Sequence, residues 1–233
     1  SEKTGDITTN KEKVPVSEGL SYIHSALVLF FKLSKEDNMK GLIIYAHPFE
    51  GSFCYAVKEK VIETLKKNGK EFNLIDLNKD KFDPVMTAED LKLYSSGGTT
   101  DPNVDRYLEM LAETDSIFII FPVWWGVMPA ILKGFFDKVF LPKRAYIYKK
   151  SGMLKPLFPQ IKQAVIFNTL GGPKIYHNLM LFFPVKKVVA DTTLKMIGVK
   201  KVKIVQFDRM KKSTDELRAK WLDQVEKNVT NQY

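Results

Sequence analysis

Short apolar runs alternate with amphipathic stretches along most of the chain. The run Gly41–Ala46 is rich in β-branched residues, which is typical of a strand buried on both faces of a parallel sheet. Beyond it, Val57, Val61 and Leu65 recur at helical spacing, and an Asn-Gly pair supplies a stop signal. The pattern therefore predicts a strand, a loop and a helix in succession.

The same pattern predicts four more strands and four more helices. The strands are expected at Phe72–Leu77, Ser116–Phe121, Ala164–Asn168 and Val202–Phe207. The helices are expected near Val104–Ala112, Pro129–Phe140, Tyr176–Ile197 and Thr214–Val229. This order indicates an α/β fold, a doubly wound five-stranded parallel sheet with helices on both faces. In such sheets ligands bind beyond the carboxyl ends of the strands, so the loops after strands one, three and four are the places to look for function.

Residues 1–38 show no sustained period, which predicts an N-terminal extension and a domain covering residues 39–233. Codons that encode Lys35, Glu36 and Asp37 can resemble a bacterial ribosome-binding site. One hypothesis is therefore that Met39 is the start and that the extension is upstream sequence read in frame. The alternative is a natural arm that packs its apolar residues on the domain or on a partner subunit. The sequence leaves open whether the extension belongs to the native protein.

Composition excludes several classes of protein. The formal net charge of the 233 residues is +9, but 27 acidic residues are interleaved with the basic ones, so no nucleic-acid partner is expected. No window reaches the roughly 18 consecutive apolar residues that a membrane span needs. One cysteine and three histidines without ligand spacing predict neither a disulfide nor a metal site. A reducing, cytoplasmic location is the expectation.

The first loop, HPFEGSF (47–53), lacks both the dinucleotide and the triphosphate fingerprints. A phosphate can still bind there, because the free N–H groups of the following helix favour an anion and Ser52 adds a hydroxyl. His47 is close enough in sequence to reach a phosphate oxygen. The alternative is structural: Ser52 caps the helix and His47 ends the strand.

The second loop, PVWWGVMP (122–129), contains two adjacent tryptophans, which cannot both face one core direction. One of them is expected to line a cleft and stack on a planar heteroaromatic ligand, unless both pack beneath neighbouring helices. The third loop, TLGGPKIYH (169–177), has a Gly-Gly pair that allows close backbone approach, followed by Tyr176 and His177 as hydrogen-bond or proton donors.

Three segments together resemble the flavodoxin-like NAD(P)H quinone oxidoreductases, a family that includes mammalian quinone reductases and bacterial drug-activity-modulator and potassium-efflux ancillary proteins. They are FPVWWGVMPAILKGFFDKVF (121–140), AHPFEGSFCYAVKE (46–59) and TLGG (169–172). The resemblance extends from Lys40 to Val229. It implies a flavodoxin-like fold and a non-covalently bound flavin. It also implies a ping-pong cycle in which hydride passes from NAD(P)H through the flavin to a quinone or similar acceptor.

The resemblance implies roles for the loop residues. Contacts to the flavin phosphate and ribityl chain would come from His47, Ser52, Phe53, Cys54 and Ala56. The wall along the isoalloxazine would be Pro122, Val123, Trp124 and Trp125, and the contacts to its polar edge Thr169, Leu170, Gly171 and Gly172. Tyr176 and His177 are the catalytic candidates, as counterparts of a tyrosine and a histidine thought to stabilise negative charge on the cofactor, although the spacing is shorter here.

In this family a pair of tyrosines from the partner subunit covers the substrate pocket of a homodimer. Tyr146 and Tyr148 in AYIY match that pair, and Gly126 replaces a phenylalanine of mammalian members, which implies a more open pocket. Arg218 matches an arginine of FAD-binding relatives and favours FAD, but FMN stays open. The choice between NADH and NADPH and the identity of the physiological acceptor also stay open. The alternative function is a flavin-binding regulatory subunit of a transport system without significant turnover.

Overall fold

The structure, a computed structural model, describes residues 40–233, so the expected extension 1–38 lies outside the described residues. The strands are β1 (Lys40–Tyr45), β2 (Phe72–Asp76), β3 (Thr114–Pro122), β4 (Tyr146–Tyr148), β5 (Leu154–Pro156), β6 (Gln163–Thr169) and β7 (Lys201–Phe207). The α-helices are α1 (Phe53–Lys67), α2 (Ala88–Tyr94), α3 (Pro102–Ala112), α4 (Ala130–Val139) and α5 (Asp215–Thr230). Among these residues no helix is both long and apolar enough to cross a membrane.

Five strands form one parallel sheet in the order β2-β1-β3-β6-β7, and β4 and β5 form a separate antiparallel hairpin. The chain first adds β2 on one side of β1 and then adds β3 on the other side. Strand order therefore reverses between β1 and β3, which makes this pair the topological switch point of the sheet. The predicted doubly wound fold is confirmed.

The sheet separates two apolar layers. Alternate residues of β1 point to opposite faces, so Ile43 packs with α1 and α5, while Leu42 and Ile44 pack on the side of α3 and α4. Helix α1 forms as the pattern predicts, with Ser52 as its N-cap and buried apolar residues at helical spacing. These layers hold the carboxyl ends of the parallel strands at one edge of the molecule.

The prediction of one helix over Tyr176–Ile197 is wrong. The structure instead has π-helical turns at Tyr176–Met180 and Lys186–Leu194 and a 3-10 turn at Lys195–Ile197. Between them Phe182 and Phe183 have φ values of 55° and 54°, in the left-handed region. Pro184 follows directly, and a proline disfavours the helical conformation of the residue before it. The helical pattern of the flanking residues concealed this break.

The sequence pattern also missed α2 and the β4–β5 hairpin. Helix α2 is short, and it is held by a capping box in which Thr87 and Asp90 bond reciprocally. Strands β4 and β5 have three residues each, too few for a period to be visible. The Thr-x-x-Asp spacing was the available signal for α2, whereas the hairpin offered none.

Candidate active site

The three loops singled out by the sequence meet at the carboxyl edge of the sheet. The N–H of Val123, just after β3, donates to the carbonyl of Thr169 at 2.9 Å. The sulfur of Cys54 lies 3.5 Å from Oγ1 of Thr169, which joins the first loop region to the third. The rings of His47 and Trp124 are in edge contact with centroids 6.1 Å apart, which joins the first loop to the second. The switch point is thus a single polar and aromatic surface.

The first loop ends in a helix N-terminus with available donors. The hydroxyl of Ser52 accepts from the N–H of Tyr55 at 3.2 Å, as an N-cap does. Among the described residues, the N–H groups of Phe53 and Cys54 donate to no protein acceptor. Ala56 is half-buried in the same turn. Free first-turn amides at a helix N-terminus suit an anionic group such as phosphate.

His47 adds a further donor beside this N-terminus. Its Nδ1 accepts from the N–H of Phe49 at 3.1 Å, so in the neutral ring the proton is on Nε2. Partial burial lowers the pKa of His47 below its ordinary value. A neutral imidazole with Nε2–H directed away from its own loop can donate to a ligand. Cys54, by contrast, is buried, and burial raises the pKa of its thiol to about 12, so it packs as a neutral side chain.

The second loop is a tight turn that displays a tryptophan. Trp124 and Val127 exchange backbone hydrogen bonds of 2.9 and 3.2 Å, and the central residues Trp125 and Gly126 have φ values of 49° and 89°. This is the geometry of a type I′ turn. The side chain of Trp125 is fully exposed and that of Trp124 half-exposed, so the alternative in which both pack under helices is wrong. Pro122 is buried at the end of β3.

The third loop presents an open backbone surface. A Cβ added at Gly171 or Gly172 would meet no atom within 4 Å among the described residues. Leu170 is buried, and its N–H donates to the carbonyl of Phe207 at 2.8 Å, which fixes the loop to β7. The two glycines therefore form a rigidly anchored floor on which a flat group can lie against the main chain.

Tyr176 and His177 follow this floor but face different surroundings. Tyr176 is exposed, whereas His177 is buried, with Nε2 2.8 Å from the carbonyl oxygen of Gly126. Tyr146 is also buried, and its hydroxyl lies 3.0 Å from that of Tyr94. Tyr148, at the outer end of the same short strand, is exposed. In the single chain, Tyr176 of the predicted catalytic pair and Tyr148 of the predicted tyrosine pair are therefore exposed. Their partners in each pair, His177 and Tyr146, are buried.

Two clefts adjoin along α4. One, of 530 Å³, lies beside the tryptophan turn and is lined by both tryptophans, Met128 and Val188. The other, of 520 Å³, lies beside the hairpin and includes Tyr146 and Met196. Lys133 borders both. Lys133, Val188 and Met196 could not be found from the sequence, because all three lie within helical patterns that mark ordinary packing.

This geometry suits a ligand that has an anionic group and a planar ring. Free amides at the start of α1 suit an anion, and the Gly171–Gly172 floor with the Trp124–Val127 turn leaves room for a planar ring with polar edges. When only the five parallel strands are numbered along the chain, the sheet order is 2-1-3-4-5. This order, with such loops at its switch point, defines a flavodoxin-like protein. The chain belongs to the Flavodoxin_2 family, whose model, described as a flavodoxin-like fold, matches residues 39–229.

Individual relatives agree with this assignment. NAD(P)H dehydrogenase (quinone) 1 of Cavia porcellus is 32% identical over 160 residues, which cover 60% of this chain and 56% of that protein. The chain thus matches only about half the length of this curated relative. The crystal structure of Smu.1420 from Streptococcus mutans UA159 is 30% identical with a TM-score of 0.72, covering 83% of this chain and 100% of that one. The NAD(P)H:quinone oxidoreductase from Methanothermobacter marburgensis is 25% identical with a TM-score of 0.73, covering 84% and 100%. The resemblance seen in the sequence is confirmed.

Proposed function

We propose that this chain is a flavin-dependent NAD(P)H oxidoreductase that passes hydride from NAD(P)H through the bound flavin to a quinone or similar acceptor in a ping-pong cycle. The observation that supports it most is the meeting of a helix N-terminus with free amides, an open glycine floor and a displayed tryptophan at one switch point. The names of the relatives, NAD(P)H dehydrogenase (quinone) 1 and NAD(P)H:quinone oxidoreductase, support the same reaction class.

The first loop would hold the phosphate end of the flavin. The N–H groups of Phe53 and Cys54 would donate to phosphate oxygens, with Ser52 and the Nε2–H of His47 completing the set. Ala56, one turn into the helix, leaves space for the ribityl chain. Every donor is neutral, so the positive end of the helix dipole supplies the attraction.

The second and third loops would hold the ring. Val123, Trp124 and Trp125 would form one wall, with Pro122 fixing the end of the strand. The main chain of Thr169–Gly172 would meet the polar edge, where its N–H groups can stabilise negative charge. Tyr176, exposed beside this floor, is the side chain we assign to hydrogen bonding at that edge.

A bound flavin supplies the hydride acceptor and donor, and the protein supplies orientation and exclusion of water. The Trp124–Val127 turn and the glycine floor would keep a second planar molecule stacked on the flavin ring. Hydride transfer requires the donor and acceptor atoms of the two rings to be about 3 to 3.5 Å apart. The apolar lining of the adjoining cleft would keep water from the transfer.

We propose further that the active form is a homodimer with its sites at the subunit interface. Tyr148 and Met153 are exposed on the hairpin and its turn, where they could cover the pocket of a second copy, and Gly126 would leave that pocket open. We favour FAD over FMN on the match of Arg218 alone. Its Nε donates to Oγ of Ser213 at 2.9 Å, and its Nη2 lies 3.5 Å from the carbonyl oxygen of Met210, whose N–H donates to Leu170 of the third loop.

The test is the visible spectrum of the purified chain, before and after NADPH or NADH and then after menadione. A yellow protein that bleaches with a nicotinamide cofactor and recovers with the quinone is expected. Release of the flavin and chromatography then distinguish FAD from FMN. A colourless protein that takes up neither flavin would refute the proposal, and bleaching without recovery by any quinone would favour the regulatory-subunit alternative.

His47→Ala should lower flavin retention about tenfold, since one charge-assisted hydrogen bond to phosphate is lost. His47→Gln, which keeps a donor near the position of Nε2, is the matched control and should retain most of the flavin. The measurement is the flavin-to-protein ratio after dialysis. Equal retention in all three proteins would remove His47 from the phosphate site.

A further inference from the structure

A buried histidine joins two loops of the candidate site. His177 is 6% exposed, and its Nε2 lies 2.8 Å from the carbonyl oxygen of Gly126, while Nδ1 lies 3.3 Å from Oδ1 of Asn178. A carbonyl oxygen can only accept, so Nε2 carries a proton and donates it to Gly126. That proton is then not available to a ligand.

The turn that receives this bond needs support. Type I′ turns favour Asn-Gly, because both central residues have positive φ, yet here a tryptophan occupies the first central position with φ 49°. The turn's own hydrogen bonds use the backbone of Trp124 and Val127 and leave the carbonyl of Gly126 unpaired. His177 supplies the missing donor from a side chain that packing holds in place.

The bond also links the two segments that carry the exposed aromatic residues Trp125 and Tyr176. Trp125 precedes Gly126 and Tyr176 precedes His177, and both side chains project into solvent, 103% and 55% exposed. A hydrogen bond at 2.8 Å between the two segments fixes how far apart these residues stand. Among the described residues, no other hydrogen bond joins the strained turn to the π-helical segment.

We infer that His177 is a positioning residue. It holds the Trp124–Val127 turn through Gly126, and thereby sets the position of Trp125 in the lining of the 530 Å³ cleft through which the acceptor reaches the site. Because its Nε2 proton is donated to the carbonyl of Gly126, it does not act as a proton donor to a ligand. That an acceptor enters this cleft rests on the proposed function, whereas the role of His177 in the turn does not.

The first test is independent of flavin. The chain has three tryptophans, so its ¹H–¹⁵N spectrum shows three indole signals. His177→Leu fills the space without a donor and should shift the signals of Trp124 and Trp125. Trp221 packs on Phe53 and Phe207 and should not move, which makes it an internal control.

Two further variants make this test sharper. His177→Gln keeps a donor near the position of Nε2 and should restore both shifted signals. Asn178→Ala removes only the contact at Nδ1 and should leave all three signals in place. Unchanged indole signals in His177→Leu would overturn the inference. If that variant does not fold, the ¹⁵N shifts of the wild-type imidazole decide: they should show Nε2–H, and the opposite tautomer would overturn it.

The second test separates positioning from catalysis. In His177→Leu the KM for menadione should rise about tenfold, as expected for the loss of one hydrogen bond that orders the pocket, while bleaching of the flavin by NAD(P)H stays within about twofold. His177→Gln should be close to wild type in both. Bleaching slowed about a hundredfold in both variants would instead identify a catalytic histidine. A chain that binds no flavin would refute the proposed function but leave the indole test valid.

Discussion

Gly171 has a face that is open in the structure, and this permits a substitution that separates binding from folding. A valine there should leave the stability of the protein within about 0.5 kcal/mol, because its Cβ meets no atom within 4 Å and φ is not in the left-handed region. The branched side chain would nevertheless fill the floor proposed for the flavin edge. Flavin retention should fall more than about tenfold, a loss of roughly 1.4 kcal/mol of binding free energy.

Thermal unfolding and the flavin-to-protein ratio, measured on the same samples of Gly171→Val, check this prediction. A variant that is as stable as wild type and still keeps its flavin would show that the ring lies elsewhere. A variant that loses both stability and flavin would contradict the open geometry of the glycine.

Asp90 is a buried carboxylate with a clear dependence on pH. Burial by itself would raise its pKa, but the hydrogen bonds that its carboxylate accepts from Thr100 and Thr87 outweigh burial and lower the pKa to about 2. The folded-state pKa is below the unfolded value of 3.8, so the stabilisation is present above pH 4 and is lost as the pH falls from about 4 to 2. The buried ammonium of Lys138 lies 3.9 Å from this carboxylate and 3.4 Å from that of Asp101.

Asp90→Asn should therefore be less stable than wild type at pH 7, by about 2 kcal/mol, and the gap should close as the pH approaches 2. Urea unfolding at a series of pH values measures this difference. Asp137→Asn, at an exposed position on α4, is the control and should show no such convergence. A constant gap between Asp90→Asn and wild type would exclude titration of Asp90 as the cause.

Helix α4 carries a glycine where helix propensity alone would favour alanine. A Cβ at Gly134 would lie 2.3 Å from the carbonyl oxygen of Pro84, a backbone atom that cannot move aside cheaply. Gly134→Ala should thus destabilise the protein by about 1 to 3 kcal/mol, whereas an exposed helical Gly→Ala change stabilises by up to about 1 kcal/mol. The free energy of unfolding in urea gives the sign directly. Any stabilisation would show that α4 and the loop at Pro84 are less closely packed.

The sequence predicted elements well where one period was sustained. All five parallel strands and the capped start of α1 could be found, because buried β-branched runs and an N-cap are local signals. The segment Tyr176–Ile197 could not be found, since its π-helical turns follow tertiary contacts on a helical pattern. The three loops could be chosen from strand order alone, but the bond between His177 and Gly126 joins residues 51 positions apart and left no local trace.

Two neighbouring segments of the described chain differ in surface chemistry, residues 186–212 being basic and residues 175–183 apolar. Nine of the lysines and arginines lie in residues 186–212 with only two acidic residues, which gives a positive field suited to the phosphates of NAD(P)H. Next to that segment in the chain, residues 175–183 expose an unusual number of large apolar side chains. They are Ile175, Tyr176, Leu179, Met180, Leu181, Phe182 and Phe183. Apolar patches of this kind mark interfaces, and here they support the proposed homodimer.

Phe182 allows this assembly to be tested without disturbing the fold. It is 69% exposed and has φ 55°, a conformation that aspartate tolerates better than phenylalanine. Phe182→Asp should therefore preserve the melting temperature of the fold while burying a charge in the interface, which weakens a dimer by several kcal/mol. Sedimentation velocity should show a dimer for wild type and a monomer for the variant. Leu217→Asp, at a 40% exposed position of α5, is the control and should stay dimeric. A monomeric wild type, or a variant that remains dimeric, would contradict an interface at residues 175–183.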